Sequence, residues 1–327
     1  MILVIGATGQ VGSLVVKELH RQGRPVRAVV RGGAGRADAA DVVKIATEVV
    51  DADLGDRRSL AAAVAGVDAV IATANVVAPR LPGDTGATEK RGYVALIEES
   101  AAAGVGRFVL TSAPTAAMDE LVPQAASKRA AERALRETPM SWVSLRFAPF
   151  AECWLALVGS SLPLRGERHA TMARDYPFLQ RFRRATGHSV ENHGRMLVPG
   201  PSRHRNAFLS LHDAARALVG ALDADLHGEH QVGGPQSLSW DDVAAIFAEV
   251  LGRPVRVLST PAPVFAAAQT VLRPVAPSAA NIMGLNRMVG LFETDWPTPD
   301  LLHALGVPQP RTVRDLLEEK AALPSGV

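Results

Sequence analysis

The sequence has 327 residues, 47% of them hydrophobic and 21% charged, enough to build a sizeable core and unlike a disordered or low-complexity chain. Its 35 basic and 33 acidic side chains leave a formal charge of +2, so the pI near 8.9 reflects an arginine excess and no field of the kind nucleic acid requires. The single cysteine, Cys153, excludes an intramolecular disulfide framework and reads as a packed core thiol in a reducing compartment.

Met1 leads straight into an apolar strand over Ile2–Ile5 without a basic leader, and no later apolar run reaches the ~18 uncharged residues of a membrane span. A cytoplasmic chain with neither membrane nor nucleic-acid partner is the expectation. Short Val- and Ile-rich runs then alternate with Ala-rich helical stretches, the pattern of a parallel sheet covered on both faces. Strands are predicted over Ile2–Ile5, Val26–Val30, Glu48–Val50, Ala69–Ala74, Phe108–Thr111 and Trp142–Leu145, and helices over Gly12–Arg21, Arg58–Val64, Glu89–Ala103 and Ser127–Glu137. Beyond Phe150 the regularity weakens, and 159–201 mixes Gly, Pro, Arg and His without clear strand signals. Later helices are predicted over His212–Asp223, from a Ser239 cap with Asp242 to Gly252, and over Thr312–Ala322. The predicted fold is α/β, a doubly wound parallel Rossmann sheet over residues 1–155 followed by a smaller mixed lobe over 156–327, of which about 208–235 could pack back on the sheet.

The first strand runs into Gly6-Ala7-Thr8-Gly9-Gln10-Val11-Gly12 and then a helical pattern. In that context Gly6 permits the tight turn, Gly9 admits a pyrophosphate to the backbone, and Gly12 lets the helix pack closely on the sheet. Thr8, Gln10 and Val11 supply backbone donors in this reading. The second strand ends in Val30-Arg31-Gly32, placing a guanidinium where an NAD binder presents a carboxylate, which favours the 2′-phosphate of NADP(H). Arg36 is a candidate second contact. Asp53 and Leu54, after the third strand, are placed to flank the adenine, although Asp53 also suits a helix cap or turn.

Together these features, with Ala101-Ala102-Ala103-Gly104-Val105 before Phe108 and Ser127-Lys128 with Glu132, resemble the NmrA-like atypical short-chain dehydrogenase/reductase family. The resemblance covers most of the chain and is strongest over residues 1–150; Leu209–Ala215 and Ser239–Asp242 match weaker segments. It implies a Rossmann domain binding NADP(H) and a C-terminal lobe closing a cleft, in reductases of quinones, dyes and phenylpropanoids or in cofactor sensors without catalysis. Phe147 departs from the family's usual proline after arginine.

Ser112, after the fifth strand, is the natural donor to a substrate oxygen, and Lys128, one of five lysines, is placed to hold the nicotinamide ribose and steady oxyanion charge. Gln124 stands four residues before Lys128, where the better-known short-chain dehydrogenases carry tyrosine, and neither Tyr93 nor Tyr176 has that spacing. Ala72, Thr73, Ala74 and Asn75 are expected along the cofactor's middle, and Ala148, Pro149, Phe150 and Glu152 near the nicotinamide, with Glu152 either a cleft acid or a solvent-facing carboxylate. The segment Arg165–Arg205 collects Arg165, Arg168, His169, Arg174, Arg181, Arg183, Arg184, His188, His193, Arg195, Arg203, His204 and Arg205 around Tyr176, Phe178 and Phe182. It reads as a solvated face, lid or oligomer contact, and its histidines lack metal-site spacing. Three functions stay open: a reductase of a small-molecule carbonyl, quinone or activated double bond, a non-catalytic NADP(H) sensor binding a protein, and an isomerase or lyase using nicotinamide transiently. A second copy of the chain is left open as a partner.

Overall fold

The computed structural model describes residues 1–75, 85–114, 123–173 and 177–324. Eleven strands are described: β1 Ile2–Ile5, β2 Val26–Val29, β3 Glu48–Val50, β4 Ala69–Ala72, β5 Arg107–Ser112, β6 Ser141–Phe147, β7 Arg195–Pro199, β8 Arg205–Asn206, β9 Gly228–Val232, β10 Leu238–Ser239 and β11 Arg256–Thr260. The helices are α1 Gln10–Arg21, α2 Ala40–Ile45, α3 Arg57–Val64, α4 Gly86–Ala102, α5 Pro123–Arg136, α6 Ala151–Leu157 and α7 Pro177–Thr186. They continue with α8 Ser189–His193, α9 Leu211–Gly220, α10 Trp240–Leu251, α11 Ala262–Leu272, α12 Pro277–Leu291, α13 Pro299–Ala304 and α14 Val313–Ala322.

The main sheet has the order β3-β2-β1-β4-β5-β6-β9, with parallel pairing from β3 through β6. β1 and β4 are buried at every position, which is why their sequences are continuous apolar runs without alternation. α1 shows the complementary helical logic: Val11, Val15, Val16 and Leu19 are buried on one stripe, while Lys17, His20 and Arg21 face solvent. One core cluster joins Leu3, Val70, Phe108 and Leu110 of the strands to Leu60 of α3, Tyr93, Leu96 and Ile97 of α4, and Leu135 of α5.

The chain forms two compact units: Met1–Phe147 with His212–Gln231 and Leu301–Pro308, and Ala148–Leu211 with Val232–Asp300 and Gln309–Val327. Within the first, Arg107 donates to the carbonyls of Ala221 and Ala224 and so ties the chain following α9 to the start of β5. The second carries two small sheets, β8 antiparallel to β10 and β7 parallel to β11. Ser239 and Asp242 form the capping box of α10, and Thr312 and Asp315 that of α14. Trp240 is fully buried beside Phe208, their ring centroids 5.1 Å apart.

Several sequence expectations are corrected. The stretch without strand signals contains β7, whose partner β11 lies sixty residues downstream, so a long-range pairing supplies what local pattern lacked. α5 begins at Pro123, four residues earlier than predicted, which puts Lys128 in its second turn. Cys153 is half-buried, not a core thiol. Glu152 is no solvent-facing carboxylate: it is fully buried and accepts hydrogen bonds from the Leu211 N–H and the Ser210 hydroxyl. The arginines of 165–205 do not form one face, because Arg165 donates to the carbonyls of Lys320, Ala321 and Leu323 at the end of α14, while Arg205 donates to Ser237. Arg174 and Tyr176 lie outside the described residues.

Candidate functional site

At the carboxyl edge of the sheet, β1, β4 and β5 lie side by side and end in the Gly6 turn, Thr73–Ala74 and Ser112 respectively. Strand order reverses between β1 and β4, the position where open α/β sheets bind ligands. Gly6 has φ +82°, and a Cβ there would lie 2.7 Å from the Ala74 amide nitrogen. A Cβ on Gly12 would come within 2.1 Å of the Gly6 carbonyl, so both positions admit only glycine. The Gly9 N–H closes the turn onto the Gly6 carbonyl at 2.8 Å, and the Thr73 hydroxyl donates to the Ile5 carbonyl at 2.9 Å. α1 starts from Gly9 with no side-chain cap and no acidic residue in its first turn. α3 and α4, by contrast, are capped by Asp56 and Thr85. The amide end of α1 at Gln10, Val11 and Gly12 therefore suits a pyrophosphate, and Thr8 beside it is buried.

Arg31 follows β2 and donates to Asp53 at 3.1 Å. Asp53 also accepts the Gly55 N–H at 2.6 Å, which makes it a turn residue; the helix cap here is Asp56. Arg36 donates to the Arg31 carbonyl and pairs with Asp38. A Cβ on Gly92 of α4 would meet the Leu54 carbonyl at 2.3 Å, so α4 crosses directly over Leu54.

Two buried polar clusters flank these strand ends. The first surrounds Lys128, whose ammonium donates to the Ala74 carbonyl at 2.7 Å, lies 3.3 Å from a Glu89 carboxylate oxygen, and sits 3.9 Å from the centroid of the Tyr93 ring. Tyr93 donates its hydroxyl to the same Ala74 carbonyl at 2.6 Å. Glu89 and Tyr93 stand four residues apart on α4 and so present one face to α5. Burial pushes the Lys128 ammonium below its ordinary pKa, with Glu89 opposing; burial also raises the Tyr93 phenol well above its own.

The second cluster centres on Glu132. Register sets Ser112 opposite Arg146, and Ser144 lies two residues before Arg146 on the same face of β6. Glu132 of α5 accepts the Ser112 and Ser144 hydroxyls, each at 2.8 Å, Arg146 through Nε at 3.0 Å and Nη2 at 2.7 Å, and Arg129 Nη1. Burial opposes its ionisation, but Arg146 and Arg129 outweigh burial and hold the carboxyl at about 2. The Ser112 hydroxyl, which the sequence assigns to a substrate oxygen, is buried and donates here to Glu132. Arg129 continues to the Ala113 and Pro114 carbonyls, bracing the chain after β5. Sequence reasoning missed Glu89, Tyr93, Arg129 and Arg146 as partners; the four-residue spacing of Glu89 and Tyr93 was the only local signal.

The other predicted residues fall as follows. Ala72 ends β4 buried, Ala74 is half-buried, and Asn75 is exposed. Phe150 belongs to the second unit, where it precedes α6 and bridges Leu209; Ala148 there donates to the Val232 carbonyl.

Residues 6–152 match the sequence profile of an NAD(P)H-binding family. The chain is 30% identical over 263 residues to (4-alkanoyl-5-oxo-2,5-dihydrofuran-3-yl)methyl phosphate reductase of Streptomyces griseus, covering 78% of this chain and 76% of that protein. It is 28% identical over 261 residues to an NAD(P)H azoreductase of Xenophilus azovorans, with coverage of 79% and 77%. Among solved structures, the triphenylmethane reductase of Citrobacter sp. complexed with NADP(H) superposes with a TM-score of 0.72 over 98% of this chain and all of that one, at 19% identity.

Proposed function

The chain belongs to the NAD(P)H-binding family of atypical short-chain dehydrogenases/reductases, and on that premise we propose that it is an NmrA-like, cytosolic, NADP(H)-dependent reductase of a small-molecule carbonyl, quinone or activated double bond. The observation that carries this reading is the uncapped amide end of α1 beside a buried lysine at the neighbouring strand end. NADPH, when held there, would supply hydride. The residues assigned to hold it are Gly6, Thr8, Gly9, Gln10, Val11 and Gly12 at the pyrophosphate, Arg31 at the 2′-phosphate, Asp53 and Leu54 at the adenine, and Ala72, Thr73, Ala74, Lys128 and Phe150 further along. Asp53 orients the Arg31 guanidinium by its hydrogen bond. Lys128 keeps a cation at the strand edge, where it stabilises developing negative charge on a substrate oxygen. The Glu132 cluster holds the chain around Ser112 in place, so Ser112 acts through position more than through its engaged proton.

Calorimetric titration with NADPH and NADH tests the cofactor assignment. NADPH preference that falls about tenfold or more in Arg31→Asp supports it, while equal affinity for the two cofactors in the unaltered protein sinks it. Turnover of a quinone and an azo dye by Lys128→Met, expected about a hundredfold below the unaltered protein, tests the lysine.

A second reading has its own support: both groups named for catalysis are buried and engaged, Ser112 with Glu132 and Lys128 with Ala74. That arrangement suits an NADP(H)-binding regulatory protein. NADPH binding without oxidation across a quinone, carbonyl and azo panel, together with a partner captured only in the presence of NADPH, decides for it.

A further inference from the structure

The second unit carries an apolar and basic surface that the reductase reading leaves unused. Among the described residues six large hydrophobic side chains are exposed, and five of them, Leu258, Val264, Val271, Val275 and Leu291, fall in one stretch of β11, α11 and α12. Val271 is 71% exposed and Val275 76%, values that no packed helix face produces. α11 reads Ala-Pro-Val-Phe-Ala-Ala-Ala-Gln-Thr-Val-Leu, yet only Ala262 of it is buried. Val264 and Val271 lie seven residues apart and share one face, and Arg273, Pro274 and Val275 continue that exposed surface into the turn before α12. α12 packs along α11, and α7 packs on α12.

Within this stretch of sequence the charge has one sign. Between Glu249 and Glu293 the sequence contains no acidic residue and four arginines, Arg253, Arg256, Arg273 and Arg287. α7 adds exposed Arg181 and Arg184 and half-buried Arg183. Arg181, Arg184, Arg256 and Arg273 pair with no carboxylate among the described residues. In the first unit Arg24, Arg27, Arg31, Arg36, Arg57, Arg129, Arg136 and Arg146 carry acidic partners, and in the second Arg205, Arg311 and Arg314 do.

We propose that the α11–α12 hairpin and α7 form a docking surface for an anionic phospholipid membrane, with Val264, Val271 and Val275 entering the acyl boundary and Arg273, Arg181 and Arg184 meeting headgroup phosphates. Exposed aliphatic side chains next to guanidinium groups that pair with no carboxylate among the described residues, Arg273 beside Val271 and Val275 above all, are what an interfacial element requires. The surface offers few hydrogen-bonding side chains to a polar partner. A second copy docked face to face would set these arginines against like charge. No helix among the described residues is long and apolar enough to cross a membrane, so the contact is peripheral. It refines the sequence expectation of no membrane partner, which weighed spanning segments only. The proposal does not depend on the reductase reading, because none of its residues belongs to the cofactor site.

The test is co-sedimentation of the full chain with vesicles of phosphatidylcholine alone and of phosphatidylcholine mixed with phosphatidylglycerol. Binding to the mixed vesicles, weakened by salt, is expected to fall about tenfold or more in Arg273→Glu and in the double variant Val271→Asp/Val275→Asp. All three substituted side chains are exposed, so the variants keep their circular dichroism spectrum and NADPH affinity. No binding to either vesicle, or equal binding by the variants, overturns the proposal. So does a concentration-dependent dimer in sedimentation velocity that disappears in Val271→Asp/Val275→Asp, which assigns the surface to a second copy.

Discussion

Lys128 and Glu132 lie one turn apart on α5, both nearly excluded from water, yet their surroundings differ in kind. Glu132 takes hydrogen bonds from two arginines and two serines, and its ionised form is held far below its ordinary range. Lys128 has one carbonyl, the Glu89 carboxylate at 3.3 Å and one ring face, and burial moves its pKa below the ordinary value while Glu89 opposes the shift. A saturated buried charge is a structural lock; an under-compensated one keeps the capacity to interact with something else. The same helix thus carries a carboxylate held by four side chains and, one turn earlier, an ammonium held by fewer groups.

The largest expected effect comes from breaking the lock. Glu132→Ala leaves Arg129 and Arg146 facing one another in a buried site and is expected to destabilise the protein by about 3–5 kcal/mol in urea unfolding. A loss below about 1 kcal/mol would equate the cluster with a surface pair and dissolve the contrast.

Acid provides the next test. The Glu132 carboxyl is held at about 2 against an ordinary 4.5, so protons bind the unfolded chain first. Its contribution, about 3 kcal/mol from that separation, is complete above the unfolded value and lost as pH falls through the folded one. Unfolding free energy measured between those pH values should decline in the unaltered protein and flatten in Glu132→Gln.

Lys128 provides the next test. Burial lowers its pKa and Glu89 opposes burial, so Glu89→Gln removes a stabiliser of the cation and moves its deprotonation to lower pH. The alkaline limb of the kcat profile is expected to shift downward by about one pH unit while KM for NADPH changes little. An unmoved limb would make Glu89 a packing residue only.

The smallest effect calibrates the others. Arg24 and Asp223 form a two-contact pair at 2.6 and 3.2 Å, with the aspartate largely exposed. Arg24→Ala should change stability by less than about 1 kcal/mol, since water and salt screen the pair.

The glycine-rich turn after β1 was legible because its determinants are local. A strand, two glycines that no Cβ can replace, and a helix with no side-chain cap follow one another within about a dozen residues of sequence. Arg31 was legible for the same reason, although its bond to Asp53 was not. The partners of Lys128 and Glu132 were illegible because they arrive from α4, β5 and β6, and only strand register and the packing of α4 on α5 bring them together. Glu152 was misjudged on the same ground: a carboxylate's burial depends on donors such as the Leu211 N–H, sixty residues away in sequence. β7 failed to show itself because a strand pairing only with β11 carries no hairpin signal.

By itself, then, the sequence determined the alternating α/β order of the first half, the glycine-rich turn after the first strand and the guanidinium at the second strand end, since periodicity of 2 or 3.6 and steric demand at glycine act between near neighbours. Tertiary structure alone decided how many partners each buried charge has and where the second unit's strands find partners. Those outcomes depend on burial and on donors brought from distant segments, and the free energy of a charge is set by what surrounds it in space.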